Sequence, residues 1–482
     1  MIHDLKPYPA YKDSGVPWLG EVPEHWEVKR TDHVMLVRKS LIQPQELRDK
    51  LVCHFSIPNV QKFGTGASES GDSIDSAKIR LFESTLLVSR LNPRMGTITF
   101  AKPDPDLMTV CSTEFVPLVP RSCLGHFANY AFRAEPIRLE LNSRVDSATK
   151  SHQRVSPRDI EKLDLAWPPI PEQSAIIHYL DYIDQRIRHY IRTKQKLIKL
   201  LEEQKKAIIH QAVTRGLDPN VRLKPSGVEW LGDVPEHWEV TKLHRITDPR
   251  RPVMYGIVLP GPSVDDGVFI VKGGNCEPGR LRAECLSRTT FDIEGKYARS
   301  RLNKDDIVYA IRGSIGAAEL VPIELVGANL TQDAARIAPC AGILPKWLLY
   351  FVQSKAFFSK LDAGAVGATI RGINIRDLKR ADVIVPPTSE QFVIAEHLEA
   401  ENERFAFVIG RAHREISLLR EYRTRLIADV VTGKLDVREA AANLPEETEV
   451  METFDDSLAE DGLENGEIED EQAGKIEDEV LV

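Results

Sequence analysis

The stretch SGVPWLGEVPEHWEV at residues 14–28 decides how the rest of the chain is read, because it returns as SGVEWLGDVPEHWEV at 226–240. Thirteen of the fifteen positions are identical, at an offset of 212. A second pair lies downstream of each copy. DIEKLDLAWPPIPEQSAIIHYLD (159–181) aligns with DLKRADVIVPPTSEQFVIAEHLE (377–399) at an offset of 218. That offset holds without a gap to LLEEQKKAIIHQAVTRGLD (200–218) against LLREYRTRLIADVVTGKLD (418–436). The chain is therefore written twice: a constant start, a free block, a Pro-Pro-x-x-Glu-Gln junction and a long helix, then the same again.

Pro168-Pro169 and Pro386-Pro387 stop the preceding strand and set a helix entry, and Glu172 and Glu390 fall where a negative charge suits the helix dipole. Apolar spacing from there alternates four and three. In the first copy the positions are Ile176, Leu180, Ile183, Ile187, Tyr190, Lys194, Leu197, Leu201, Gln204 and Ile208. In the second they are Ile394, Leu398, Glu401, Phe405, Val408, Ala412, Glu415, Leu419, Tyr422 and Leu426. Such a run predicts a coiled-coil seam, closed by Gly216 and Gly433. At 1.5 Å per residue each helix reaches ~65 Å. The helices can self-associate between chains or pair with each other. The duplicated order favours an antiparallel intramolecular pair with one free block at each end. Arg186, Arg188, Arg192, Lys194, Lys196 and Lys199 make the first helix basic, as a solvated face, a phosphate contact or a docking face for a partner.

The free blocks, 29–167 and 241–385, are rich in short β-branched runs punctuated by Gly, Pro and Asn. STLLVSRLNPRMGTITFA (84–101) and DDIVYAIRGSIGAAELV (305–321) both read as strand, polar turn, strand. Arg90, Asn92 and Arg94 sit in the first turn, and Arg312 and Ser314 in the second. Arg and Asn on such turns suit base edges or phosphates, beside the plainer reading as exposed turns. A second loop precedes each junction, with Lys150, His152, Gln153 and Arg154 in one copy and Thr369, Arg371 and Asn374 in the other. Matched positions of different type are what two readers of different sequences need. His25-Trp26 and His237-Trp238 read as structural packing at the helix base.

Over 482 residues the formal net charge is −9, which taken alone argues against a nucleic-acid binder. Residues 441–482, however, carry 16 Asp/Glu and one Lys, a local −15, leaving +6 for residues 1–440. The acidic tail reads as a solubilising extension, a DNA mimic or a docking site for a basic surface. No secretory leader or membrane span is apparent, and six cysteines without a C-x-x-C pair fit reduced thiols in a cytoplasmic protein. No phosphate loop, metal-ligand cluster or hydrolase elbow is recognisable, which favours a non-catalytic chain.

The twofold order S-G-V-x-W-L-G-x-V-P-E-H-W, free block, P-P-x-x-E-Q, long helix resembles the specificity subunit of type I restriction-modification systems, across residues 6–437. The fold expected is mixed α/β, with two globular target-recognition domains separated by two long antiparallel coiled-coil helices and an internal pseudo-twofold duplication. Its segments are 1–28, recognition domain 29–171, helix 172–217, recognition domain 226–389, helix 390–437 and acidic tail 438–482. The resemblance implies a non-catalytic DNA-recognition subunit that reads the two halves of an asymmetric bipartite site in double-stranded DNA. It implies two copies of a methyltransferase (modification) subunit and a restriction/translocase subunit as partners, and no membrane. No cofactor is expected on this chain, while S-adenosylmethionine, ATP and Mg are implied for the partners. Arg186, Arg188, Arg192 and Lys196, with Arg411 and Arg414 on the second helix, are the expected methyltransferase-docking residues.

Overall fold

The computed structural model describes residues 5–145, 153–228, 230–355, 357–358, 361 and 372–445. They divide into two compact units, one built from Met1–Lys194 with Arg414–Val482 and the other from Gln195–His413. Unit 2 begins at 195 and ends at 413, so the two cuts fall within one residue of the same point of the 218-residue repeat. Four helices carry the description: α1 (Gly125–Arg133), α2 (Ile170–Arg215), α3 (Pro345–Gln353) and α4 (Thr388–Val431).

In unit 1 an antiparallel sheet runs in the order Ile98–Ala101, Thr85–Ser89, Phe115–Pro120, Met35–Val37. α1 packs on its first two strands, burying Phe127 and Phe132 completely. A second, five-stranded sheet contains a parallel pair, Met108–Ser112 with Leu51–Phe55. Unit 2 repeats the plan with fewer strands. Its four-stranded sheet runs Met254–Tyr255, Ala334–Ile337, Ile307–Ala310, Ala318–Leu320. Its three-stranded sheet holds the parallel pair Val268–Val271 with Asn329–Leu330. α3 packs on Ala318–Leu320. One core joins Trp347, Phe351 and Ile337 to Ala212 and Val213 of α2 and Ile394 and Leu398 of α4.

Each block is pinned at both ends to one two-stranded ladder. Glu27–Arg30 pairs antiparallel with Asp164–Trp167, and Glu239–Lys242 with Asp382–Val385. The constant starts form matching hairpins, Tyr11–Asp13 with Glu21–Pro23 and Leu223–Pro225 with Asp233–Pro235. In unit 1 the Asp436 amide donates to the Lys6 carbonyl at 2.8 Å, which ties the residues after α4 to the start of the first hairpin.

Both glycine stops have left-handed φ, +76° at Gly216 and +80° at Gly433. Each also lies against a tryptophan. A Cβ at Gly216 would stand 3.2 Å from the Trp238 ring, and one at Gly433 would stand 2.3 Å from Pro23 and 3.3 Å from Trp26.

The helices pair antiparallel within unit 1, where Arg423 bonds Asp184 and Lys194 reaches Glu415 at 2.7 Å. Their seam differs from the heptad expectation. Tyr190 and Leu197 are 48% and 39% exposed, and Val408 is 43% exposed. The inward positions of α2 are Ile176, Leu180, Ile183, Ile187, Ile191, Lys194, Ile198, Leu201, Lys205, Ile208 and Ala212. Those of α4 are Ile394, Leu398, Glu401, Phe405, Ile409, Ala412, Ile416, Leu419, Arg423, Leu426 and Val430. Every pair keeps the offset of 218. Both sets take one extra residue at the same step, 187 to 191 and 405 to 409. A strict heptad drifts off one face of a straight helix by about 20° per repeat. The extra residue restores a mean spacing of ~3.6, the period of an unsupercoiled helix.

The seam correction sets an expectation. Ile191→Ala should lower stability by about 3 kcal/mol, and Tyr190→Ala by less than about 1 kcal/mol. Denaturant midpoints of the two variants, followed on unit 1, check this. A larger loss at Tyr190 would restore the heptad seam.

Candidate nucleic-acid interface

The tryptophan of each PEHW sequence meets the Pro-Pro-x-x-Glu-Gln junction. Trp26 is fully buried and its indole N–H donates to Glu172 Oε1 at 3.0 Å. The Tyr8 hydroxyl donates to the same oxygen at 2.7 Å, and His25 Nε2 lies 2.7 Å from Oε2. Burial, reinforced by the Glu172 carboxylate, pushes the Tyr8 hydroxyl far above its ordinary range, so it stays a donor. In unit 2 Trp238 donates to Glu390 Oε2 at 2.8 Å and His237 Nε2 lies 2.6 Å from Oε1. Charge-assisted bonds of this kind are the strong ones.

The neighbouring glutamine does a separate job. Leu124 and Leu344 stand at the N-caps of α1 and α3 without a capping side chain of their own. Gln173 Oε1 accepts from the Leu124 amide at 2.7 Å, and Gln391 Oε1 accepts from the Leu344 amide at 2.7 Å. Their amide groups donate back to the Pro168 and Pro386 carbonyls. A helix start that would otherwise leave N–H groups unmet is thus capped from the frame. About two turns further along each long helix, Asp181 of α2 accepts from the Tyr130 hydroxyl of α1 at 2.6 Å, and Glu399 of α4 binds Lys346 of α3 at 2.7 Å.

On this base each sheet extends a hairpin. Thr85–Ser89 and Ile98–Ala101 pair in unit 1, and Ile307–Ala310 and Ala318–Leu320 in unit 2, with polar tips between the strands. The segment before each junction lies beside the tip. In unit 1 the Val155 amide donates to the Arg90 carbonyl at 2.9 Å, and the Asn92 amide to the Gln153 carbonyl at 2.8 Å. In unit 2 the Ile373 amide donates to the Ile311 carbonyl at 2.9 Å. The two candidate loops of each copy therefore form a single edge.

Individual residues fall as follows. Asn92 adopts a left-handed φ of 46° and its Oδ1 takes the Gln153 amide at 3.3 Å. Arg94 is exposed and its carbonyl takes a bond from Arg138. Arg154 grips Glu114 through Nε at 3.2 Å and Nη2 at 3.1 Å, and Arg90 Nε stands 3.8 Å from the same carboxylate. Ser314 bonds Glu277. Asn374 caps the helix Ile375–Arg380, its Oδ1 accepting the Arg376 amide at 2.8 Å. That explains its side chain without DNA. Lys150, His152, Thr369 and Arg371 lie outside the described residues. On α2, Arg186 stacks on Tyr182 and bonds its hydroxyl, while Arg188 pairs with Asp184 at 2.8 Å. Arg192, Lys196 and Arg411 also hold partners, and Arg414 is exposed.

Backbone pairing fixes which tip residues correspond. The Arg90 and Ile311 amides bond the Glu114 and Asp333 carbonyls, at 2.9 and 2.8 Å. The counterpart of Arg90 is thus Ile311, which is 3% exposed, and Arg312 matches Leu91. Glu114 escapes sequence inspection, since nothing in its own neighbourhood marks it. Among the described residues no cluster of three or more His, Cys, Asp or Glu could hold a metal ion, and no helix is long and apolar enough to cross a membrane.

Comparison with known proteins finds the same likeness. The type I restriction modification DNA specificity domain profile matches residues 275–405. By the duplication, the same frame stands in the first half. The chain is thus similar to type I specificity subunits. The EcoBI specificity subunit of Escherichia coli is 25% identical over 311 residues, covering 63% of this chain and 64%, just under two thirds, of that relative. The MjaVIII specificity subunit of Methanocaldococcus jannaschii is 23% identical over 423 residues, covering 86% and 94%. A chain solved in work on assembly and conformational transition of the type I R-M system has a TM-score of 0.67 at 17% identity, over 86% of this chain and 99% of that one. It shares the mixed α/β fold with two long helices.

The two junctions should not be equally sensitive. Glu172 is 6% exposed and carries three donors, whereas Glu390 and His237 are 40% and 46% exposed. Glu172→Ala strands a buried indole N–H and a buried hydroxyl and should cost about 3 kcal/mol, against about 1 kcal/mol for Glu390→Ala. Thermal unfolding of the two variants measures the difference, and equal losses would refute it.

Proposed function

We propose that the chain is the DNA-reading subunit of a type I complex. Each recognition block reads one half of an asymmetric, bipartite site in double-stranded DNA. The observation that carries this is the edge built twice on one frame with unlike side chains at matched backbone positions: Arg90 against Ile311, Arg154 against Gly372, Glu114 against Asp333. A short edge addresses a few base pairs and is weak alone. Two edges in one chain gain effective concentration without new contacts.

In this reading the chain performs no chemistry. Two copies of a methyltransferase subunit, using S-adenosylmethionine, act on adenines flipped from the duplex, and a restriction/translocase subunit uses ATP and Mg. The chain's part is register. The residues assigned to methyltransferase docking are Arg186, Arg188, Arg192, Lys196, Arg411 and Arg414. In unit 1 the exposed apolar side chains of Tyr190 on α2 and Leu418 on α4, the latter 63% exposed, add to them. The alternative, a chain with its own nuclease or methyltransferase activity, predicts activity without partners.

Co-expression with the cognate modification subunit, followed by mapping of methylated adenines, should return a split, asymmetric motif. Exchanging residues 241–385 for another block should change one half of it only. Lengthening both helices together by seven residues should change the gap and leave both halves intact. Methylation by the purified chain alone, or a motif altered in both halves by the exchange, would sink the reading.

A further inference from the structure

Glu114 occupies the two-residue turn between Met108–Ser112 and Phe115–Pro120, and its backbone is held on both sides. Its amide donates to Ser112 Oγ at 3.2 Å, and its carbonyl accepts the Arg90 amide at 2.9 Å. Its carboxylate takes two bonds from Arg154 and lies 3.8 Å from Arg90 Nε. That Nε is buried and has no hydrogen-bond partner among the described residues. The two arginines come from adjacent segments joined by a bridge between Leu91 and Arg154. One acid therefore serves two guanidinium groups at the tip, leaving a net local charge of +1.

We propose that Glu114 is a positioning residue for DNA readout, which rests on the DNA-reading function assigned above. It fixes one edge of the Arg154 guanidinium through Nε and Nη2. The opposite edge, on a side chain still 45% exposed, is presented in a set orientation. A guanidinium presents its donors as a rigid fork, and two parallel bonds to a guanine edge require that orientation. Without the acid, the two arginines repel each other and each samples many rotamers. They remain attracted to phosphate, which needs no orientation. Among the described residues the device has no counterpart at the matched positions of unit 2. At the matched positions of unit 2 stand Asp333, Ile311 and Gly372, and neither of the last two offers a guanidinium.

The experiment compares specific and non-specific duplex binding over a salt series, using the full chain assembled with its modification subunits. The variants are Glu114→Gln, Glu114→Asp and Arg154→Ala. Removing a negative charge from a DNA-facing edge must hold or strengthen non-specific binding. If Glu114 positions the arginines, Glu114→Gln also lowers the specific-to-nonspecific ratio by about tenfold, with the lost preference confined to one half-site. Glu114→Asp keeps the charge but retracts it by one methylene. It should lower the ratio without strengthening non-specific binding. Equal strengthening on both duplexes by Glu114→Gln would make Glu114 a mere repelling charge and overturn the proposal. So would a ratio unchanged in both Glu114 variants while Arg154→Ala lowers it, and then the DNA-reading assignment stands. A ratio unchanged in Arg154→Ala removes the readout from this edge and the proposal with it.

Discussion

A carboxylate in the first turn of each long helix, bonded to the indole of a buried tryptophan, is the contact on which the architecture depends. Glu172 and Glu390 are the only acids of the junction, and each meets the tryptophan of its own PEHW sequence. The contact sets where the helix begins, where the block leaves the frame and where the block returns. The strands Glu27–Arg30 and Glu239–Lys242 follow the tryptophan directly, and their ladder partners precede the prolines. Burying a carboxylate among apolar groups is unfavourable unless its lone pairs are met. Here they are met by groups that also fix the chain path.

The duplication is faithful in the frame and unequal in its closure. Unit 1 closes its acid with Tyr8, over whose ring Arg438 lies at 5.1 Å while pairing with Asp436 at 2.6 Å. Unit 2 offers Asn220 where unit 1 has Tyr8, and its acid stays two-fifths exposed. The reading edges diverge further, to the point that a guanidinium pair on one becomes isoleucine and glycine on the other. The contacts of the junction acids with their tryptophans are kept through this divergence.

Much of this was legible in the sequence. Near-identity at one offset and a gap-free alignment at a second mark the duplication, the junction and the long helices without reference to structure. The strand–turn–strand reading of 84–101 and 305–321 needed only β-branched runs and turn residues. Three things were hidden. The seam shift at Ile191 and Ile409 hid behind Tyr190 and Val408, since a 3.5 and a 3.6 period differ by one residue over the length of a helix and both choices were apolar. The match of Arg90 with Ile311 hid because loops of unequal length have no register until the strands pair. Glu114 hid because its partner Arg154 stands 40 residues away, a distance that only sheet topology closes. The indole–carboxylate contact was half visible: the residues repeat together, but a dipole argument for Glu172 gave no reason to look back to Trp26.

The glutamine after each junction acid has a consequence of its own. Gln173 and Gln391 reach into the variable blocks, yet what they grasp there is main chain, the amides of Leu124 and Leu344. The ladders at the block ends are likewise main-chain bonds, and Trp167 gives its indole hydrogen to the Lys29 carbonyl at 3.1 Å. A fastening made to peptide groups is indifferent to the side chains borne by what it fastens. In the proposed reading, changes at the tips that alter which bases a block addresses leave these peptide-group fastenings untouched, and of the block side chains Tyr130 and Lys346 remain tied to the long helices. Innovation in readout and persistence of the mount thus become separate problems, open to solution one substitution at a time.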